Sequence, residues 1–376
     1  MEKGNRLYHF LDRYAGIPAV FFLGLFRKRG RKPPARLNRI AIVNLFSIGD
    51  NVLMSGVIAD LVAAYPNAEL VAFVANNNFH LVKLIPGFKQ VIKLPIASPF
   101  KSISTIKSAG TFDLVIDFGA WPRVSAIYTF FVRGKYKTGF KSGGQHRHYT
   151  FDRVVNYSHS IHEIENYRNL VSDFYKGEHH LPTINFVTSE ASEDFIKQAG
   201  NYCIVHPWPG GFKSHLKQWD NQRWIDLIYR IAPNFDAIVL TGAPGDIEKC
   251  AAFENGLDKE RLQDTTFINI AGQFSLGETA HILKEAAFVI SIDTGIAHMS
   301  AAFSKPMIGI QGPASSVRWR PYNSSAAVVN PSKGTYGYLS FGYEYYRAKE
   351  NCMENISVDA VYATFLEMYK QPVLNK

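Results

Sequence analysis

With 376 residues, of which 47% are hydrophobic, the chain is long enough for two or three domains with sizeable cores, and its composition excludes a disordered or low-complexity protein. A net charge of +9 favours acidic partners such as phosphorylated sugars, nucleic acid or an anionic membrane surface. The three cysteines lie far apart and the twelve histidines lack metal-ligand spacing, which argues against disulfides and metal sites and fits a reducing cytoplasm.

An apolar run at residues 14–26 is followed at once by five basic residues, Arg27, Lys28, Arg29, Arg31 and Lys32. The run is shorter than the ~20 residues that a membrane-spanning helix needs. Because a basic cluster stands where a small-residue cleavage site would be, a signal peptide is disfavoured. The pattern predicts that residues 1–36 lie on an anionic membrane surface. A helix docked on the protein's own body is the alternative.

Strands alternate with helical patterns after the Pro33-Pro34 breaker, which predicts a parallel, doubly wound sheet in a first domain, residues 37–190. A helix is predicted to begin after Ser47 and to end at Tyr65. The basic, glycine-bearing stretch 135–149 is predicted to be a strand and a surface loop. Strands are predicted at residues 39–46, 69–75, 90–94 and 112–118.

A second alternation of the same kind predicts a second Rossmann-like domain, residues 191–355, after a boundary near 185–200. Its strands are predicted at 202–206, 237–241, 267–270, 288–292, 307–310 and 326–329, and its helices at 222–231, 247–255 and 276–285. Residues 356–376 carry a helical stripe that is predicted to pack back on the first domain. The expected fold is α/β, with the carboxyl ends of both sheets facing a central cleft.

The most informative stretch is residues 287–313, a buried strand that ends at Asp293 and leads through Thr294-Gly295 into a helix. Free backbone N–H groups and a partial positive charge at the start of that helix predict an anion site. The alternative is that Asp293 or Thr294 merely caps the helix.

Other polar residues follow strands in both domains. Asp50 follows the first strand of the first domain, Lys217 follows the first strand of the second domain, and Asp246 follows Gly242-Ala243-Pro244-Gly245. Neither a dinucleotide-binding glycine motif nor a P-loop occurs. The arrangement suggests a nucleotide diphosphate held by the second domain and an acceptor activated from the first.

Together these motifs resemble glycosyltransferase family 9, the lipopolysaccharide heptosyltransferases, in the right order over about residues 38–370. They are Ser47-Ile48-Gly49-Asp50, Pro209-Gly210 with Lys217-x-Trp219, Gly242-Ala243-Pro244, Ile270-Ala271-Gly272 with Ser275-Leu276-Gly277-Glu278, Asp293-Thr294-Gly295-x-x-His298 and Gln311-Gly312-Pro313. The resemblance implies a GT-B fold. It also implies metal-independent, inverting transfer of a sugar, typically heptose from ADP-heptose, without a cofactor.

By position, the resemblance implies that Asp50 is the general base and that Lys217 stabilises the leaving diphosphate. Helix capping is the alternative for Asp50, and an exposed lysine without a role is the alternative for Lys217. Asp246 matches the family's ribose-binding acid, with Glu248 as the alternative.

The helix after Asp293 carries the remaining donor residues that the resemblance implies. The backbone of Thr294 and Gly295 matches the segment that meets the phosphates, whereas Asp293 and His298 match side chains that line the donor site. For His298 a core histidine is the alternative.

The implied acceptor is a lipid-linked acidic glycan, a growing lipopolysaccharide core at the inner face of the cytoplasmic membrane. Four basic residues of the first domain are candidates for its phosphate or carboxylate groups, namely Lys135, Lys137, Lys141 and Arg147. Simple solvation is the alternative for their charge. We expect no nucleic-acid partner, because no interleaved aromatic and basic repeat occurs.

Two departures from the family pattern leave another nucleotide sugar or another lipid acceptor open. The loop that begins His206-Pro207-Trp208 is bulkier than the family's version, and the best-known core heptosyltransferases lack the N-terminal extension. Two rival functions also stay open. An NDP-sugar epimerase of similar fold would need a second acid or base near the donor sugar. A catalytically silent, membrane-bound scaffold would need none.

Overall fold

A computed structural model describes residues 6–28, 30–210, 214–339, 341 and 351–370. The chain divides into two compact units between Thr183 and Ile184, slightly before the predicted boundary at 190/191. The reason is that the extended link after Ile184 already packs in the second unit. There the backbone N–H of Val187 donates to the carbonyl of Gly277 at 3.0 Å.

The first unit is built on a parallel sheet, and nearly every residue of its strand β1 is buried, as expected for a sheet with both faces covered. Its strands are β1 (Arg39–Asn44), β2 (Glu69–Val74), β3 (Phe88–Lys93), β4 (Thr111–Asp117), β5 (Arg133–Lys141) and β6 (Arg153–Asn156). They lie in the order β3-β2-β1-β4-β5-β6, and every neighbouring pair is parallel.

Seven helices are described in this unit: α1 (Arg6–Tyr14), α2 (Gly16–Leu25), α3 (Ile48–Ala64), α4 (Phe79–Val82), α5 (Pro99–Ser108), α6 (Arg123–Phe131) and α7 (Glu163–Val171). The predicted helix after Ser47 is confirmed as α3. The link that follows α7 packs on α3, because the buried carboxylate of Asp60 accepts from His179 Nδ1 at 2.7 Å and from His180 N–H at 2.8 Å.

Helices α1 and α2 dock on the first unit, in agreement with the alternative left open for this segment. Val20 of α2 is buried against Ala126 and Phe151, and the Asp12 carboxylate pairs with Arg123 at 3.0 Å. The opposite side of both helices exposes large apolar side chains, so contact with a membrane surface stays a prediction. None of the helices described in the structure is long and apolar enough to cross a membrane.

The second unit repeats the architecture, and each of its predicted strands is present. They are β7 (Tyr202–His206), β8 (Ala237–Leu240), β9 (Thr266–Asn269), β10 (Phe288–Ile292), β11 (Met307–Ile310) and β12 (Ala326–Val329). They form a parallel sheet in the order β12-β11-β10-β7-β8-β9. Its helices are α8 (Glu190–Ala199), α9 (Asn221–Ile231), α10 (Ile247–Asn255), α11 (Leu276–Glu285), α12 (Gly295–Ala302), α13 (Ser316–Trp319) and α14 (Val358–Lys370).

The apolar stripe of the C-terminal helix α14 packs within the second unit, and its predicted packing on the first domain stays a prediction. Val361 and Phe365 are fully buried in the core that α9 also fills. Arg230 of α9 pairs with Asp359 at 2.5 Å. The periodicity identified the buried face correctly, but it carries no information about which unit covers that face.

Candidate active site

In the second unit, strand order places a crevice between β7 and β10. The chain leaves β7 toward β8 on one side of the sheet and later returns to β10 on the other side. Ligands of open parallel sheets bind at the carboxyl ends of the strands at such a switch point. Lys217, after β7, and Asp293, after β10, both lie at this point.

The predicted residues Lys217 and Asp293 meet as an ion pair, with Lys217 Nζ 2.5 Å from Asp293 Oδ2. Lys217 ends the short 3₁₀ helix Ser214–Lys217, and both side chains keep part of their surface in solvent. A lysine ammonium has three donors, so Lys217 can hold Asp293 and still donate to a phosphate oxygen. Lys217 is therefore paired and largely covered, unlike a freely exposed lysine, and its role at a diphosphate stays a prediction.

Directly beside this pair, helix α12 begins at Gly295 with Thr294 as its N-cap residue. The Thr294 hydroxyl lies 3.2 Å from Ser291 Oγ, and the Thr294 side chain makes no capping hydrogen bond to the helix. The first N–H groups of α12 therefore keep their capacity to bind an anion. The capping alternative for Thr294 is wrong.

The surroundings of three further candidate donor residues do not distinguish a role in donor binding from a structural one. His298 is 5% exposed, one turn into α12, which agrees with the core alternative, so its donor role stays a prediction. Asp246 Oδ2 accepts the N–H of Ala243 at 3.2 Å and thereby closes the turn that precedes α10. Glu248 is exposed on the first turn of α10.

The two outer glycines of the Gly242–Gly245 turn differ in surroundings. A Cβ at Gly242 would lie 2.7 Å from Cys250 Sγ, whereas one at Gly245 would meet nothing within 4 Å. The absence of a side chain at Gly242 is therefore explained by packing within the unit. Only Gly245 presents open backbone that a ligand could approach closely.

His206, the last residue of β7, is a buried polar group at the same edge of the sheet. The sequence analysis named this residue only as the start of a bulky loop. Its Nδ1 lies 2.9 Å from Thr241 Oγ1, which joins the ends of β7 and β8. Burial lowers the pKa of His206 to about 4, so the imidazole is neutral at neutral pH. His206 therefore adds no positive charge to this edge at neutral pH.

In the first unit, strand β1 lies between β2 and β4, and the strand order reverses at β1. Asp50 lies near this switch point, at the start of helix α3, which follows β1. Ser47 occupies the N-cap position and Asp50 is the third residue of α3, so the capping alternative for Asp50 is wrong. The Asp50 carboxylate accepts hydrogen bonds from the Ser47 hydroxyl and from the Tyr167 hydroxyl, the latter at 3.4 Å.

Sequence reasoning missed Tyr167. This residue lies on α7 and is almost fully buried, packed edge-on against Phe118 with ring centroids 5.2 Å apart. Its apolar neighbours along the helix give it the pattern of a core residue. No sequence signal links its hydroxyl to Asp50, because the two residues are 117 positions apart.

Two of the four predicted acceptor residues are built into the interior instead. Arg147 is fully buried, and its Nη2 lies 2.7 Å from Asp117 Oδ2 and 2.9 Å from Ser125 Oγ. Lys137 is also buried, with Nζ donating to the carbonyl of Thr129 at 2.8 Å. Burial, and then the charge of Arg31, lowers the pKa of Lys137 to about 7. The prediction that Lys137 and Arg147 bind the acceptor is wrong, because both side chains are enclosed.

The other two acceptor candidates lie at opposite edges of the sheet. Lys135 is near the start of β5 and pairs with Asp113 at 2.7 Å; the same carboxylate accepts the N–H of Asn38, just before β1. Lys135 therefore lies at the amino-terminal edge, away from the switch point. Lys141 ends β5 at the carboxyl edge and is exposed, so it alone retains a suitable position.

Over the described ranges, no group of three His, Cys, Asp or Glu side chains is arranged to hold a metal ion. The three cysteines are buried as free thiols, and burial raises the pKa of Cys250 to about 12. None of the cysteines is therefore a reactive thiolate in these surroundings.

Comparisons with known proteins identify the family of the chain. The sequence profile of glycosyltransferase family 9 (heptosyltransferase) matches residues 104–336. Lipooligosaccharide heptosyltransferase 2 of Haemophilus influenzae is 22% identical over 313 residues, which cover 78% of this chain and 89% of that protein. The profile match includes Lys217 and the residues from Asp293 to His298, but it begins after Asp50.

Solved structures show the same fold. A family 9 glycosyltransferase of Veillonella parvula superposes with a TM-score of 0.72 at 17% identity, covering 88% of this chain and 98% of that one. An E. coli heptosyltransferase with ADP gives a TM-score of 0.66 at 20% identity, covering 88% and 99%. The predicted fold class, α/β of the GT-B type with two doubly wound parallel sheets, is confirmed.

Proposed function

Because the chain belongs to glycosyltransferase family 9, the heptosyltransferase family, we propose that it transfers heptose from ADP-heptose to a lipopolysaccharide core or a related lipid-linked acidic glycan. The transfer inverts the anomeric configuration and requires no metal ion. We place the reaction at the inner face of the cytoplasmic membrane, where such an acceptor is built.

The observation that carries this proposal is the Lys217–Asp293 pair beside the start of α12. Loss of the nucleoside diphosphate develops negative charge on its phosphate oxygens. A fixed lysine and the first N–H groups of a helix stabilise such charge when they are in place before the reaction. These groups supply what a divalent cation supplies in other transferases. The ADP bound by the E. coli structural neighbour agrees with a donor of this class.

Asp50 acts as the general base in this proposal. Its carboxylate takes the proton of the acceptor hydroxyl while that oxygen attacks the anomeric carbon from the face opposite the diphosphate. The hydrogen bonds from Ser47 and Tyr167 hold the carboxylate in one orientation. One carboxylate suffices for a single displacement, and a single displacement inverts the configuration.

The proposal also assigns roles to the remaining predicted residues, whose contacts in the structure point less directly to one ligand group. Asp246 binds the donor ribose, with Glu248 as the alternative, and Asp293 and His298 line the donor site. Lys141, exposed at the end of β5, binds acidic groups of the acceptor.

Thermal unfolding with a panel of nucleotides and nucleotide sugars tests the donor site. A ligand present at ~100 times its dissociation constant adds about 2.7 kcal/mol to the free energy of unfolding. We expect this stabilisation with ADP and ADP-heptose for the wild type, and its loss in Lys217→Ala. The matched control is Lys197→Ala, which removes a lysine that also pairs with an aspartate in the second unit, Asp194 at 3.6 Å.

Product analysis then tests the chemistry. With ADP-heptose and a lipopolysaccharide core acceptor, we expect release of ADP, an inverted glycosidic linkage by NMR, and full activity in EDTA. If an isomerised nucleotide sugar formed without acceptor, the protein would be an epimerase and not a transferase. No stabilisation by any nucleotide and no turnover would leave the catalytically silent scaffold as the better account.

A further inference from the structure

The N-terminal helices α1 and α2 have two sides of opposite character. One side is fixed to the body of the first unit, and the other carries a run of exposed aromatic and aliphatic residues. The exposed set is named here the aromatic face, and it consists of Phe10, Leu11, Tyr14, Phe21, Phe22, Leu25 and Phe26.

The fixed side is closely fitted. Gly16, Val20 and Gly24 recur every four residues on α2, so they share one face of the helix. A Cβ at Gly24 would come within 2.8 Å of Tyr149 Cβ, and one at Gly16 within 3.1 Å of Arg123 Cβ. The small residues therefore let α2 approach α6 and the 3₁₀ helix Arg147–Thr150 closely.

Helix α1 is held by a buried polar contact. The Asp12 carboxylate accepts the backbone N–H groups of Arg123 and Val124 at 2.8 and 3.1 Å, and it pairs with the Arg123 guanidinium. Asp12 thus satisfies free N–H groups at the start of α6. The two helices are a fixed part of the unit, and the orientation of the aromatic face is set by the fold.

The aromatic face is concentrated on this short segment. Of the fifteen large apolar side chains that are more than a third exposed among the described residues, seven lie between Phe10 and Phe26. The rings of Phe22 and Phe26 contact each other with centroids 5.0 Å apart. A concentration of exposed apolar side chains of this kind marks an interaction site in soluble proteins.

The charge around the face is positive. Arg13, Lys28 and Lys32 are exposed in the same segment of the chain, and the one acidic residue between residues 10 and 32, Asp12, is largely covered in its pair with Arg123. Farther along the unit, burial and then the charges of Lys141, His146 and Arg27 lower the pKa of His148. Arg27, after α2, therefore adds to the positive charge that acts on His148.

We propose that the aromatic face and its basic rim form a docking surface for an anionic lipid bilayer. The aromatic side chains enter the boundary between headgroups and acyl chains, and the lysines and Arg13 bind lipid phosphates. A second copy of this chain fits less well, because it would bring the same positive rim and a further charge of +9 to the interface. Because α1 and α2 are fixed to the first unit, docking in this way sets the orientation of that unit on the lipid surface.

The test is flotation of the full-length protein with vesicles of phosphatidylethanolamine and phosphatidylglycerol, at low and high salt, without donor or acceptor. We expect the triple variant Phe22→Ser/Leu25→Ser/Phe26→Ser to bind about tenfold more weakly or worse, because each side chain loses its apolar burial. The control Phe100→Ser removes a phenylalanine of α5 that is 91% exposed outside the face, and should bind like the wild type.

A charge variant tests the basic rim separately. It keeps all the apolar residues of the face, so a folding defect caused by their replacement cannot explain its result. Lys28→Glu/Lys32→Glu should weaken binding about tenfold and reduce its salt dependence, whereas Lys101→Glu, at an exposed lysine of α5, should not. Unchanged flotation of both the triple and the charge variant would overturn the proposal. Equal binding to purely zwitterionic vesicles would also overturn it. So would a wild-type dimer that the triple variant abolishes, because a second copy would then cover the face. None of these results depends on the sugar that the protein transfers.

Discussion

The carboxyl edges of the two sheets use charge in different ways. In the second unit, Lys217 and Asp293 pair at the switch point but remain partly in solvent, beside the open N–H groups of α12. In the first unit, Arg147 and Asp117 pair at the corresponding edge with no exposure at all. The first arrangement can exchange partners with a ligand, whereas the second is part of the core. A charged residue at the end of a strand is therefore a site candidate only when its charge remains accessible.

The largest expected effect concerns Asp50, a partly exposed carboxylate of the first unit. Asp50→Asn keeps the shape of the side chain but removes the base, so we expect kcat to fall about a thousandfold. Nucleotide-induced stabilisation should be unchanged, because the proposed donor residues belong to the second unit. Asp173→Asn, at a half-exposed aspartate paired with Arg153, is the control. An unchanged kcat in Asp50→Asn would exclude a role as base.

Breaking the buried Arg147–Asp117 pair of the first unit should lower the stability of the protein. Arg147→Met leaves the Asp117 carboxylate buried without its cation, which costs about 3 kcal/mol or more of unfolding free energy, measured by urea denaturation. Removing an exposed partner, as in Lys197→Met, should cost less than about 1 kcal/mol. If Arg147→Met were as stable as the wild type but raised the KM for the acceptor, Arg147 would be an acceptor residue after all.

His206 predicts a pH dependence for the second unit. Its pKa of about 4 in the folded protein lies below its ordinary value of 6.5. As the pH falls from 6.5 to 4, the unfolded chain therefore takes up a proton that the folded chain does not, and stability is lost. Between pH 7 and 5 the loss is about 2 kcal/mol. We expect His206→Asn to show a smaller fall in its urea midpoint over this range.

The control for that measurement is His80→Asn, which replaces an exposed histidine of α4. It should keep the pH dependence of the wild type. If His206→Asn loses as much stability on acidification as the wild type, the acid sensitivity comes from other groups.

The smallest expected effect distinguishes two exposed lysines on one strand. Lys141→Ala, at the carboxyl end of β5, should raise the KM for an acidic acceptor about fivefold by removing a charge-assisted contact. Lys135→Ala, at the amino end and paired with Asp113, should leave this KM unchanged. Equal effects in the two variants would mean that general charge attraction, and not position at the edge, matters.

The sequence by itself determined the features that depend on neighbours along the chain. Apolar runs and caps located α3 and every strand of the second sheet, since strand and helix periodicities are local properties. Strand, turn and helix follow one another directly at Asp293, so this unit could be located from the sequence, and its role as an anion site stays a prediction. The short strand β6 and helix α6 were missed, because each is too short or too uniformly apolar to show a clear period.

Only the tertiary structure decided which residues are accessible and which are brought together over long sequence distances. Basic residues at 137 and 147 look alike in sequence to the one at 141, yet two are enclosed and one is exposed. Tyr167 reaches Asp50 across 117 positions, and α14 packs on its own unit. The reason is physical: desolvation and packing depend on what covers a side chain, and that is set by chain segments remote in sequence.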